Sequence, residues 1–151
     1  MRRQNLCIKY TYSPFFHQKM PTKMLNHPIA KIVLIGVLMV FLDSCYLYFA
    51  KPFYANQVVV IQRVAMQVKP LGALAAYVAM AIGLWFFVLK QPITDNVYLK
   101  AMLLGATVFG TYNATSYAIL KKFSPSLAVL DTVWGVLMYS MATYLYLSIT
   151  R

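Results

Sequence analysis

Four long runs of apolar residues, each ended by lysine or arginine, dominate the pattern along the chain. As α-helix, runs of this length span the roughly 30 Å hydrocarbon core of a membrane. Basic side chains at both ends anchor such helices among phospholipid headgroups. The pattern therefore predicts an all-α fold, a bundle of four transmembrane helices. The runs are Ile32–Ala50, Leu71–Leu89, Ala101–Leu120 and Leu127–Ile149.

Two prolines predict where helices begin. Pro28 precedes the first run, and Ser124 with Pro125 precedes the fourth. Proline suits the first turn of a helix because the N–H that it lacks has no partner there, and serine is a favoured N-cap. We expect helix one to begin near Pro28 and helix four at Pro125.

The segment Lys51–Pro70 is less polar than a loop. Its apolar residues Ile61, Val64, Ala65 and Val68 fall on one face at helical spacing. This predicts a short amphipathic helix in the membrane interface between helices one and two. A strand is the alternative, because β-branched residues dominate the segment.

Composition agrees with a membrane protein. Of the 151 residues 61% are hydrophobic and 11% charged, with a mean hydropathy of +0.63; soluble domains carry about 25% charged residues. The net charge of +11 would indicate nucleic-acid binding in a soluble protein. Here the basic residues mark helix ends, and no long basic run interleaves with aromatics as single-strand binding requires. A nucleic-acid partner is therefore disfavoured.

The distribution of basic residues predicts the orientation in the membrane. Nine lie in the N-terminal segment, the second loop and the C-terminus, against five in the other two loops. Because cytoplasmic segments are richer in lysine and arginine, both termini are expected on the cytoplasmic side.

Residues 1–31 form a basic, aromatic N-terminal extension, and residues 32–151 form the four-helix transmembrane domain. Pro14, Pro21 and Pro28 exclude a long helix in the extension. It is either a disordered tail on anionic headgroups or an arm that grips a protein partner, and we favour the arm. The residues that would make this contact are Arg2, Arg3, Lys9, Tyr10, Tyr12, Phe15, Phe16 and Lys19.

Small residues recur along helices two and three. Such stripes let helix backbones approach closely in lipid, where hydrophobic association is weak. We expect helices two and three to touch along them. The stripe residues are Gly72, Ala76, Ala79 and Gly83 on helix two, and Ala106, Gly110, Ala114 and Ala118 on helix three.

Three polar residues, Asp43, Asn113 and Asp131, fall at similar heights in the outer half of the membrane. An aspartate at the centre of a transmembrane helix costs roughly 2.5–3.5 kcal/mol on insertion scales, so these side chains should face the bundle interior. They form either a hydrogen-bonded cluster that fixes helix register, which we favour, or a proton or cation site. The predicted intramembrane cluster is Asp43, Tyr112, Asn113, Ser116, Asp131 and Trp134.

Aromatic residues collect at the helix ends. Tyr46, Tyr48, Phe49, Phe53 and Tyr54 lie at the outer end of helix one. Aromatic belts of this kind mark membrane interfaces, so no binding role is assigned to them.

Nothing in the chain indicates an enzyme. The only histidines, His17 and His27, precede the first run, and no Ser-His-acid set, metal-ligand pattern or phosphate-binding glycine loop is present. Cys7 and Cys45 form neither a metal motif nor a good disulfide candidate. No catalytic residue, metal or cofactor is predicted.

Three motifs carry a family resemblance. Phe41–Leu47 with Phe53-Tyr54, then Gly110–Ser116, then Asp131–Gly135 resemble, in order, the motifs of an uncharacterised membrane family, domain of unknown function 2177. Where that family tends to have Trp, Asp and Asn, this chain has Tyr46, Asn113 and Ser116. The resemblance covers roughly residues 32–149, implies a membrane fold and implies no established activity.

Members of that family occur in bacteria and in large DNA viruses with an internal membrane. The resemblance therefore implies a structural role, in which the basic arm holds a membrane to a protein shell, as a minor capsid or inner-membrane protein of a virion would. The alternative is a small proton- or cation-coupled transporter or channel that uses Asp43 and Asp131. Four helices would have to oligomerise to enclose such a path.

Overall fold

The computed structural model describes residues 27–63, 67, 69–92 and 96–150, and these residues are helical apart from short connections. The predicted contact residues of the arm, from Arg2 to Lys19, lie outside the described residues. The all-α fold with four helices is confirmed. The helices are α1 (Pro28–Gln62), α2 (Pro70–Leu84), α3 (Val97–Ile119) and α4 (Pro125–Thr150), and a π-helical turn (Trp85–Leu89) continues α2.

Three of the four helices are long and apolar enough to cross a membrane: α1, α2 with its π-helical turn, and α4. Both predicted starts are confirmed, since α1 begins at Pro28 and α4 at Pro125. The backbone N–H of Leu127 donates to Ser124 Oγ at 3.4 Å, which caps α4. Residues 28–31, assigned above to the extension, form the first turn of α1.

Helix α1 is longer than its apolar run. It continues for 35 residues through Pro52, which lies inside it, and ends at Gln62; Arg63, whose φ is 55°, caps it. The expectation that helix one ends near Ala50 is wrong, and residues 51–62 do not form a separate interfacial helix. Pro52 is exposed, and proline inside a helix removes one backbone hydrogen bond. The rest of the predicted interfacial segment, residues 64–66 and 68, lies outside the described residues.

Neighbouring helices run antiparallel, and α4 lies between α1 and α3. The contact between α3 and α4 is the most extensive, and α2 packs along α1, where a Cβ on Gly36 would lie 3.7 Å from Ala81 Cβ. Helix α2 reaches α3 mainly through its π-helical turn. The predicted pairing of helices two and three along their small residues is therefore wrong.

The two ends of the bundle differ in composition. The inner end, which holds the start of α1 and the end of α4, is an apolar core. Its fully buried members include Ile35, Met39, Leu84, Ala101 and Met138. The outer end, which holds the end of α1 and the start of α4, contains the polar side chains that the sequence singles out. The inner core fixes the helices that carry this polar site.

Candidate functional site

Asp43 is the deeper of the two intramembrane aspartates and joins three helices. Its carboxylate, on α1, accepts a hydrogen bond from Trp134 Nε1 of α4 at 2.8 Å. Its second oxygen accepts one from the Tyr77 hydroxyl of α2. An ionised carboxylate only accepts hydrogen bonds, so both partners suit it, and Asp43 ties α1 to α2 and α4.

Asp131 joins a different set of three helices, nearer the outer end. On α4, it accepts a hydrogen bond from Asn113 Nδ2 of α3 at 2.8 Å and another from the Tyr54 hydroxyl of α1. Asn113 is only 3% exposed. Its amide also lies within hydrogen-bond distance of the Phe109 carbonyl and Thr132 Oγ1. Asp131 therefore ties α4 to α1 and α3.

Tyr46 connects the two aspartate clusters. Its hydroxyl lies 3.1 Å from the Tyr54 hydroxyl, and its ring stacks on Trp134 with centroids 4.3 Å apart and planes 9° apart. Both aspartates thus belong to one assembly that touches all four helices. We call it the polar network: Asp43, Tyr46, Tyr54, Tyr77, Asn113, Asp131 and Trp134.

Four residues of the predicted cluster lie in this network: Asp43, Asn113, Asp131 and Trp134. The other two do not. Tyr112 is 64% exposed on the outside of α3. Ser116 is buried one turn after Asn113, but within the described residues its hydroxyl makes no hydrogen bond to the network.

Sequence reasoning missed three tyrosines of the network. Tyr46 and Tyr54 were interpreted as interfacial aromatics, and Tyr77 was not singled out. Tyr46 follows Asp43 by three residues, a spacing that puts both on one helix face, and this signal could have found it. No such local signal marks Tyr77, whose partner lies on another helix.

The small residues occupy other surfaces than predicted. On α2, Gly72, Ala76 and Ala79 are exposed, and a Cβ on Gly83 would meet nothing within 4 Å. On α3, Ala114 and Ala118 are exposed and Ala106 is half-buried.

Helices α3 and α4 approach closely at a glycine outside the stripe. A Cβ on Gly105 would lie 2.5 Å from the Gly135 carbonyl oxygen, and a Cβ on Gly135 would overlap the Phe109 ring. Gly110, in the stripe, is less tightly packed, since a Cβ added there would lie 3.7 Å from Thr132 Cγ2. The tight packing of α3 at Gly105 is therefore against α4, on a face beside the stripe, and not against α2 along the stripe as predicted.

The arrangement suits hydrogen bonding between helices. Within the described ranges no three histidine, cysteine, aspartate or glutamate side chains group closely enough to hold a metal ion. The network offers two carboxylates, each held by donors from other helices. Chemically, it can fix the relative positions of four helices or hold exchangeable protons.

The comparisons with known proteins give a family and nothing narrower. No curated protein and no solved structure matches the chain. Residues 28–147 match the family described as predicted membrane protein (DUF2177). This match begins where α1 begins and takes in every residue of the polar network. The chain therefore belongs to the DUF2177 family of membrane proteins, as its three motifs suggest.

Proposed function

We propose that this protein is a non-enzymatic structural component of a membrane, held together by the polar network and attached to a protein partner through its N-terminal arm. The observation that carries the proposal is that both aspartates accept hydrogen bonds from other helices. Trp134, Tyr77, Asn113 and Tyr54 donate to them from other helices. Their hydrogen bonds thus serve cohesion of the bundle.

In this proposal all four helices cross the membrane. Helix α3 has 23 residues, about 34 Å, and is long enough, although it is more polar than the others. Its buried amide, Asn113, faces α4 rather than lipid, which reduces the cost of placing it in hydrocarbon. Four crossings put both termini on one side, the cytoplasmic side by the charge bias. A capsid protein facing that side of a virion inner membrane is a concrete example of the partner.

Crosslinking of the arm in the native membrane or particle tests this proposal. We expect one protein crosslinked to the arm at a fixed molar ratio, and loss of that protein when residues 1–26 are deleted, which leaves α1 complete. Crosslinks to lipid alone, or unchanged association after the deletion, would contradict it.

A matched pair of arm variants separates protein contact from headgroup contact. One variant replaces Tyr10, Tyr12, Phe15 and Phe16 by serine and keeps the charge. The other replaces Arg2, Arg3, Lys9 and Lys19 by glutamine and keeps the aromatics. A gripping arm depends on both sets, whereas a tail on anionic headgroups depends mainly on charge.

Transport is the second candidate function, and the neighbouring hydroxyls of Tyr46 and Tyr54 favour it. Tyr46 and Tyr54 place exchangeable protons next to Asp131, which is one part of what a proton relay requires. On the Asp43 side the contact is made by the Tyr46 ring, which stacks on Trp134. Proton flux into liposomes, read with a pH-sensitive dye, tests it. Flux that Asp43→Asn abolishes and Ser44→Ala leaves intact would replace the structural proposal.

A further inference from the structure

The outer halves of α3 and α4 leave a groove on the membrane-facing side of the bundle. Its volume is about 360 Å³, within the range of roughly 300–1,000 Å³ found for ligand sites. A second apolar depression of about 570 Å³ adjoins it along Pro125, Val129 and Val133. We call the first the lateral groove; its principal lining residues are Gly110, Ala114, Tyr117, Ala128, Val129 and Val133.

Small side chains and exposed apolar ones shape the groove. Gly110, Ala114 and Ala128 leave the space between the two helices unfilled. Val129 is 65% exposed and Val133 51% exposed, so α4 presents an apolar wall to the surrounding hydrocarbon. Asn113 and Thr132 also line the groove, but they hydrogen-bond to Asp131 and to the Ala128 carbonyl. The space is therefore mostly apolar, open sideways and placed where acyl chains lie.

Two lysines mark the end of the groove. Lys121 and Lys122 lie in the turn between α3 and α4, four and three residues before Pro125, and both are exposed. Gln57 Nε2 donates to the Lys122 carbonyl oxygen at 2.6 Å, which fixes this turn against α1. Tyr117, 58% exposed, adds a hydroxyl on the same side of the groove.

Charge decides between a lipid and a second copy of the chain. A two-fold axis along the membrane normal would bring the same turn of both copies together, with four lysines at one rim. That repulsion opposes a dimer through this face, whereas a phosphate group supplies the opposite charge.

We propose that the lateral groove binds an acyl chain of an anionic phospholipid whose phosphate is held by Lys121 and Lys122. The acyl chain fills the space that the small residues leave, and the two ammonium groups select the headgroup. This site is independent of the N-terminal arm and of the partner proposed for it.

Native mass spectrometry of the full chain in detergent tests the site. The probes are a phosphatidylglycerol and the phosphatidylcholine with the same acyl chains. We expect the phosphatidylglycerol to bind roughly tenfold more tightly, since each lysine near the surface favours an anionic lipid. Lys121→Gln with Lys122→Gln should remove this preference. The matched control, Lys51→Gln with Lys69→Gln at the same end of the bundle, should retain it.

A second variant pair tests the groove itself. Ala114→Leu fills the groove and should weaken binding of both lipids, whereas Ala79→Leu, at an exposed alanine of α2, should not. A third experiment needs no variant. A phosphatidylglycerol with a photoactivatable acyl chain should crosslink to the unaltered protein at Val129 or Val133.

Four results would overturn the proposal. They are equal binding of the two lipids, equal effects of the two lysine pairs, crosslinks that avoid α4, and a lipid-free dimer that Ala114→Leu dissociates.

Discussion

Helices α3 and α4 meet in two different ways along their length. Towards the inner end, Gly105 lies against the Gly135 backbone with no room for a methyl group. Towards the outer end, the same helices are joined by the Asn113–Asp131 hydrogen bond and leave the lateral groove beside it. Packing controls the first region and hydrogen bonding the second, so the two should respond differently to substitution.

The largest effect is expected at the inner glycines. Gly105→Ala places a Cβ 2.5 Å from the Gly135 carbonyl oxygen, a backbone atom that cannot turn aside. We expect the α3–α4 contact to lose about 1–3 kcal/mol, the usual cost of overpacking. Thermal unfolding in detergent, followed by circular dichroism, measures it. Gly110→Ala is the control, and its melting temperature should be unchanged or higher; equal losses for both variants would contradict the comparison.

Removal of Asp131 should have the next largest effect. Asp131→Ala takes the acceptor from Asn113 and Tyr54 together. Hydrogen bonds between membrane helices contribute on average about 0.6 kcal/mol each and at most about 1.7, so a loss of about 1–2 kcal/mol is expected. The same melting experiment measures it, with Ser126→Ala, an exposed site five residues earlier on α4, as the control. A loss no larger than that of the control would mean that hydrogen bonding does not stabilise the outer end.

A smaller loss is expected from Trp134→Phe. The variant removes the Nε1–H that donates to Asp43 and keeps an aromatic ring against Tyr46. We expect a loss of about 0.6 kcal/mol. A double-mutant cycle with Asp43→Ala isolates the bond, because this change removes the acceptor oxygens and the two changes are non-additive only if the residues interact. Additive effects would contradict the direct bond.

No loss of stability, or a gain, is expected from Tyr139→Phe in the inner core. The Tyr139 hydroxyl is buried without a hydrogen-bond partner among the described residues, which is costly in an apolar region. Stability should stay the same or rise by up to about 1 kcal/mol. Tyr54→Phe makes the same change in the outer network and should lower stability. A loss at Tyr139 equal to that at Tyr54 would remove the contrast between the two ends.

The helices and the polar positions could be predicted from the sequence because both depend on local physics. Long apolar runs predict membrane helices, and Pro28 and Pro125 predict the first residues of α1 and α4. Asp43, Asn113 and Asp131 stood out because polar groups in hydrocarbon need partners. Their depth in the membrane follows from their distance in residues from the helix end, at 1.5 Å per residue.

The helix pairing could not be predicted, because small residues occur on both packed and lipid-facing surfaces. Gly105 makes the close approach to α4, while its neighbour Ala106 belongs to the predicted stripe. The tyrosines were missed for a related reason. The local sequence is the same whether an aromatic residue near a helix end lies among headgroups or, like Tyr54, donates a hydrogen bond to a carboxylate on another helix.

The length of α1 has a mechanical consequence. Lys31 and Lys51 lie about 30 Å apart along the helix axis, which matches the hydrocarbon thickness. The eleven residues from Pro52 to Gln62 extend the helix by roughly 16 Å more. The headgroup layer takes up only about 5–7 Å of that length. With Lys31 and Lys51 at the two headgroup layers, the end of α1 extends roughly 10 Å past the lipid, and a surface that approaches this side of the membrane contacts the helix end first.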